Sequence, residues 1–153
     1  MPIYQHDFIK GETKQMAFTL YIASKFHSRY RLRPIKKHLQ SLGFIVLSKW
    51  MDPDVNVEIS SDNDSLGPNI DASIEEAQRD SEEIKKTDIF IIDTIDESNT
   101  GGRDVELGMA IFSDCTCFRI GPIRNVFHAM IPSHKSWADM ICYLQENFKN
   151  DTL

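Results

Sequence analysis

Two carboxylates in this sequence stand where their chemistry invites a role. Glu106 follows Thr100-Gly101-Gly102 in the first turn of a predicted helix. Glycines there allow a tight turn and close approach of a ligand to the backbone. A helix N-terminus favours an ionised carboxylate, so Glu106 is expected to stay charged and able to attack an electron-poor carbon. Complementing the helix dipole is the plainer role, and both stay open. A capping box would want Ser or Thr three residues earlier, and Arg103 occupies that place.

Asp80 is the second carboxylate. It falls on one helical stripe with Ala77 and Ile84, where an amphipathic helix should be apolar. Such an Asp is either paired internally or opens into a pocket. Partial desolvation would raise its pKa and suit it to share or donate a proton.

Other candidates are more ambiguous. Arg29, Arg31 and Arg33 cluster beside Ser24 and Lys25. Their guanidinium groups suit a phosphate, and they equally suit a solvated helix start, the role expected for at least two of the three. Trp50 can stack on a base or pack against a sheet. Cys115 and Cys117 form a C-x-C pair whose side chains share a strand face, read as buried reduced thiols. His128 and His134 have no partner at metal spacing, and no phosphate-loop, dinucleotide fingerprint or serine-elbow motif occurs.

The elements that must position these residues alternate. Residues 17–23 (AFTLYIA) read as a buried strand. A helix follows with Leu32, Ile35, Leu39 and Leu42 inward, Pro34 in its first turn and Gly43 as its stop. Residues 44–48 make a second strand, and 52–69 a long acidic loop of the kind that is functional or mobile. A helix over 70–86, a strand at 88–93, a helix at 103–113 and a strand at 115–120 come next. VFHAMI, at 126–131, suggests a fifth strand, and the last helix turns Trp137, Met140, Ile141, Leu144 and Phe148 inward. This order predicts a Rossmann- or flavodoxin-like α/β fold, an open doubly wound sheet of about five mostly parallel strands. Ligands in such sheets bind outside the carboxyl ends of the strands. That rule selects Ser24 to Phe26, Trp50 to Asp52, Asp93 to Gly102, and Gly121-Pro122.

The chain has 153 residues and a formal charge of −6. That is enough for one domain, here 17–153 behind an extension at 1–16, and it argues against nucleic-acid polymers or anionic membranes as partners. No apolar run approaches a bilayer span, and the polar start reads as cytoplasmic.

Taken together, these residues resemble the nucleoside 2-deoxyribosyltransferase family and its nucleotide N-glycosidase relatives. The resemblance rests on LYIASKF at 20–26, GFIVLSKW at 43–50, Asp80 and Asp88 leading into FIID, TGGRDVELGMAI at 100–111 and RIGPIRNVFH at 119–128. It implies cleavage or transfer at the N-glycosidic bond of a nucleoside or nucleoside 5′-monophosphate. Glu106 would be the nucleophile, forming a glycosyl-enzyme ester, and Asp80 the residue that protonates the base. Ser24, Phe26, Arg29, Trp50, Asp93, Thr100, Gly101 and Gly102 would line the pocket. No metal or organic cofactor is called for, and relatives imply a homodimer or larger homo-oligomer. Where the transferases carry Asp and the nucleotide hydrolases Ser, this chain has Thr100; a neutral hydroxyl there tolerates a 5′-phosphate better than Asp would. A nucleotide-binding module without turnover is the alternative, as is a glycosidase for a dinucleotide or cyclic nucleotide.

Overall fold

A computed structural model describes residues 17–53 and 70–150. The expected extension at 1–16 and most of the acidic loop lie outside the described residues. Five strands form one sheet in the order β2-β1-β3-β4-β5. They are β1 (Thr19–Ala23), β2 (Ile45–Val46), β3 (Ile89–Asp93), β4 (Thr116–Ile120) and β5 (Ser133–His134), and every pairing is parallel. Four helices complete the fold: α1 (Arg29–Ser41), α2 (Ile70–Lys85), α3 (Gly102–Phe112) and α4 (Trp137–Asn147). This is the expected flavodoxin-like α/β architecture, and its order reverses between β1 and β3. No described helix is long and apolar enough to cross a membrane.

The central strands carry the core. All five residues of β3 and the last four of β1 are buried, as expected for parallel strands covered on both faces. Register pairs Tyr21 with Phe90 and Ile22 with Ile91, so alternate residues face opposite layers. The Tyr21 and Phe90 rings stack, with centroids 5.7 Å apart. On the other face Phe118 packs edge-on against Tyr143 near α4.

Local chemistry explains most boundaries. Gly43, at φ +94°, ends α1 by donating to Gln40 O while Phe44 N–H reaches back to Leu39 O, a Schellman close. The second strand is shorter than expected because Ser48 Oγ, rather than a strand carbonyl, accepts the Ile22 N–H at 2.5 Å. Pro34 sits inside α1 rather than in its first turn, because the helix already starts at Arg29. VFHAMI is not a strand. Asn125 Oδ1 accepts from Phe127 N and His128 N and winds 126–130 into a 3₁₀ turn, leaving β5 to start at Ser133. Cys115 and Cys117 are buried thiols, pushed up to about 11 and about 12 by loss of solvent.

Gly121, at φ +109°, crosses over the start of the loop that follows β3. A Cβ there would lie 2.7 Å from Ile95 N and 2.7 Å from Thr94 Oγ1. Gly121→Ala is therefore expected to lose about 2 kcal/mol or more of unfolding free energy. Gly108, inside α3 with open space at its Cβ, is expected to gain roughly 0.5–1 kcal/mol as Ala. Urea unfolding of the two variants checks both signs.

Candidate active site

The carboxyl end of β3 is organised by Asp93. Its side chain is fully buried and accepts Arg31 Nη1 at 2.8 Å, Arg31 Nη2 at 3.0 Å, Trp137 Nε1 at 2.8 Å and Ile95 N at 3.1 Å. Arg31 also reaches Asp96 at 3.1 Å. Asp93 therefore holds α1, α4 and the β3–α3 loop rather than lining a pocket with a free carboxylate. Its carbonyl accepts Ser24 Oγ at 3.0 Å, which seats Ser24 at the reversal point between β1 and β3.

The arginine cluster is likewise spent inside the fold. Arg29 is buried, with its guanidinium 3.9 Å above the Phe26 ring and 4.3 Å from the Tyr30 ring. Arg33 Nε donates to Met51 O. Arg29 is satisfied by the Phe26 carbonyl and the neighbouring rings, whereas Arg31 and Arg33 make internal bonds and keep part of their side chains in solvent. Trp50 is also turned inward, its Nε1 donating to Ile22 O at 2.7 Å. Phe26, half-buried, lies 6.4 Å from it, centroid to centroid.

Glu106 lies one turn deeper in α3 than the first-turn position expected of it, four residues past Gly102. That changes its chemistry. At the helix start the dipole would keep it ionised, but here its Oε2 is shut off from solvent and has no hydrogen-bond partner among the described residues. Loss of solvent, then repulsion from Asp80, push its pKa up to about 8, against a smaller opposing pull from Tyr21. The expectation that the helix start keeps Glu106 charged is thus corrected: burial raises its pKa and favours its protonated form.

Glu106 and Asp80 come together across the α2–α3 interface. Asp80 is mostly buried and its pKa is raised by desolvation, with Arg79 pulling the other way. Ala77, expected on the same stripe, is exposed. Ile84 is fully buried as expected, and Glu76 and Glu83 join Asp80 on the inward side of α2, where Glu83 is pushed up to about 7, chiefly by burial. From the sheet, Tyr21 adds a buried hydroxyl beside Glu106, and burial first, then the charges of Glu106 and Asp80, raise its pKa and hold it protonated. Tyr21 and Glu83 were missed in the sequence. A lone hydroxyl amid the central strand and acids spaced by four and three along a helix are the signals that could have found them.

The entry to α3 lies one turn away. Gly101, at φ +73°, precedes the helix, Gly102 begins it, and Thr100 is exposed beside Ser98. Arg103 folds back, buried, to donate to Asp96 O at 2.7 Å. Arg124 secures Thr94 O at 2.7 Å and Ile95 O at 2.9 Å. His128, fully buried, accepts Arg124 N at Nδ1, so its Nε2–H donates to Asp104 Oδ1 at 2.6 Å. Both ring nitrogens are occupied, so His128 anchors the 126–130 turn to α3 and has no lone pair to act as a base.

No protein-family model matches the sequence, and no curated protein matches it. Solved structures do. A 2-deoxyribosyltransferase from Bacillus psychrosaccharolyticus superposes with a TM-score of 0.66 at 20% identity, over 88% of this chain and 98% of that one. A CMP N-glycosidase from Clostridium botulinum gives 0.51 at 16% identity, over 84% of this chain and 98% of that one. These likenesses establish a shared fold.

The raised pKa of Glu106 makes stability depend on pH with a definite sign. The folded state keeps a proton that the unfolded chain gives up near 4.5, so the stabilisation is complete below that pH and is lost as pH rises to about 8. A full rise of that size sets a ceiling of about 5 kcal/mol, which water entry reduces. Glu106→Gln is expected to raise Tm by roughly 5 °C at about pH 9 and to leave it nearly unchanged at about pH 5. Thermal melts at the two pH values measure it, and an equal shift at both would show that Glu106 is not protonated by burial.

Proposed function

We propose that this protein cleaves or transfers the N-glycosidic bond of a nucleoside or nucleoside 5′-monophosphate. The observation that carries the reading is the pair of buried carboxyls Glu106 and Asp80, whose pKa values burial raises, beside Tyr21 of β1, one of the two strands at the order reversal where such sheets bind ligands. The solved structures of this fold include a 2-deoxyribosyltransferase and a CMP N-glycosidase, which supports the same chemistry.

In this mechanism the pair shares one proton. With the proton on Asp80, Glu106 is the carboxylate and attacks C1′ of the sugar. The C1′–N bond breaks, its electron pair leaves with the base, and Asp80 supplies the proton the base needs. The transition state is oxocarbenium-like, so an adjacent carboxylate stabilises it. In hydrolysis, water then attacks C1′ of the glycosyl ester and returns a proton to Asp80, restoring both groups. In transfer, an acceptor base takes the place of water. Two carboxyls sharing a proton titrate as a unit, so the productive arrangement is one form of the singly protonated pair.

A 5′-phosphate fits the entry to α3. Thr100 adds no negative charge, and Gly101 and Gly102 open an 11-residue helix N-terminus to an anion. Ser24 and Phe26, at the neighbouring end of β1, would meet the substrate from that side in this reading.

The assembly we propose is a homodimer or larger homo-oligomer. Val105 and Phe112 protrude from α3, and Val126, Phe127 and Met130 protrude beside them. The Asp104–His128 bond brings those two segments side by side. Five large apolar side chains left more than half exposed on two adjoining segments are the kind of surface that a partner copy covers.

Two outcomes test these readings. Purified protein incubated with ribo- and deoxyribonucleosides and their 5′-monophosphates should release free base, and Glu106→Ala should abolish release, by about a thousandfold or more, with an unchanged circular dichroism spectrum. The pair loses its last proton near pH 8, so kcat/KM should fall about tenfold per pH unit above that. Nucleotide binding without release, seen by calorimetry, would instead make the protein a sensor. Sedimentation should show an oligomer that Phe112→Asp with Phe127→Asp dissociates; a monomeric wild type removes that part of the proposal.

A further inference from the structure

We infer that Arg103 is the side chain that makes the entry to α3 selective for a phosphate monoester, the 5′-phosphate of the nucleotide proposed above. The inference rests on that reading of the ligand and adds the residue that sets the choice of nucleotide over nucleoside. Arg103 is the second residue of α3, and only 4% of it is exposed. Its side chain folds back to the loop that follows β3, where Nη1 donates to Asp96 O at 2.7 Å and approaches Asp93 O at 3.3 Å. Asp93 O also accepts Ser24 Oγ at 3.0 Å. The guanidinium therefore lies where β1 and β3 end side by side, at the reversal of strand order.

A guanidinium so placed lacks two things that buried cations ordinarily have. One is a counter-ion, since charged side chains are almost never fully buried unless paired. Arg31 has Asp93 and Asp96, Lys36 has Asp52, Arg79 has Asp80 and Arg124 has Glu97. Arg103 forms no ion pair among the described residues, and burial pushes its pKa down further than the neighbouring Asp104 pulls it up. The other is a complete set of acceptors: its Nε is closed to solvent and has no hydrogen-bond partner among the described residues. Arg29 and Arg119 are also buried without a carboxylate, but they are satisfied otherwise. Arg29 lies against the Phe26 and Tyr30 rings, and Arg119 gives both Nε and Nη1 to carbonyls.

The missing partner is an anion, and the surroundings favour a phosphate. The backbone N–H of Arg103 belongs to the first turn of an 11-residue helix, whose leading N–H groups have no partner within the helix. Gly101 and Gly102 leave open space there, with no atom within 4 Å of either Cβ position. Thr100 contributes a hydroxyl and no charge. The acids nearby are already engaged: Asp104 with His128 at 2.6 Å, Asp96 with Ser28 at 2.6 Å and Arg31 at 3.1 Å. Arg103 and Arg124 between them take the carbonyls of Asp93, Thr94, Ile95 and Asp96, so two guanidinium groups border the loop that ends at Thr100. A phosphate monoester held by the helix N–H groups brings its charge close to a cation that water does not screen. A neutral 5′-hydroxyl has no such charge to offer, and that difference is the selectivity.

The test is calorimetry with the common ribo- and deoxyribonucleosides, each beside its 5′-monophosphate, on wild type, Arg103→Gln and Arg103→Lys, with circular dichroism verifying each fold. Wild type should bind a monophosphate at least about tenfold tighter than its nucleoside. Arg103→Gln keeps a donor for Asp96 O but removes the charge; it should bring that ratio down to about one while nucleoside affinity changes by less than about twofold. Arg103→Lys keeps the charge and should retain part of the ratio. Because Arg103 is buried, a measurement on wild type stands beside the variants. Its Nε–H resonance, assigned by NMR, should shift on titration with the monophosphate or with inorganic phosphate, and not with the nucleoside. A ratio that persists in folded Arg103→Gln, or an Nε–H that the monophosphate leaves unmoved, overturns the inference. If the ratio depends on Arg103 while no base is released from any substrate, phosphate selection stands and the glycosidase reading falls. If base is released equally well from nucleosides and monophosphates, in wild type and in Arg103→Gln, the glycosidase reading stands and this inference falls.

Discussion

The buried carboxylate of Asp93 is the constraint on which the rest of this structure depends. Taking a carboxylate out of water costs several kcal/mol, and the fold offsets that only by meeting it with complete hydrogen bonding. Two donors come from Arg31, one from Trp137 and one from the Ile95 backbone, so a single group ties α1, α4 and the β3–α3 loop to the end of the central strand. Removing Arg31 would strand that charge in the core. The same residue's carbonyl receives Ser24, and Arg103 approaches it at 3.3 Å, so backbone and side chain together register β1, β3 and α3.

With that face fixed, the opposite face can tolerate an arrangement that costs stability. Glu106, Asp80 and Glu83 are carboxyls crowded under α2 and α3, with Tyr21 below them and one guanidinium among them. No network satisfies them fully: Glu106 Oε2 is closed to solvent and has no hydrogen-bond partner among the described residues. Unsatisfied buried polar groups are rare in folded proteins, and each one asks for an explanation. The substrate proposed for this site would supply charge and hydrogen bonds at that point. The strain is affordable because α3 is held at its entry from three directions, by Arg103, Arg124 and the Asp104–His128 bond.

The sequence read in isolation determined the layers of this protein and the two carboxyls at its centre. Continuous apolar runs gave β1 and β3, helical spacing gave α1, α3 and α4, and Gly43 marked a helix end, because each of these signals is local. Glu106 and Asp80 stood out for the same reason, as acids in positions where spacing alone predicts something else. What only the tertiary structure decided was the state and the company of those residues. Burial turned Glu106 from an ionised helix-start residue into one that holds a proton. Long-range partners turned Arg31, Arg33, Trp50 and Asp93 from candidate ligand contacts into internal struts, and Asn125 wound an apparent strand into a 3₁₀ turn. Side-chain type is written in the chain, but protonation and hydrogen-bond partnership depend on how much water remains nearby and on which distant groups arrive. Those are fixed only when α2, α3 and the sheet close on one another.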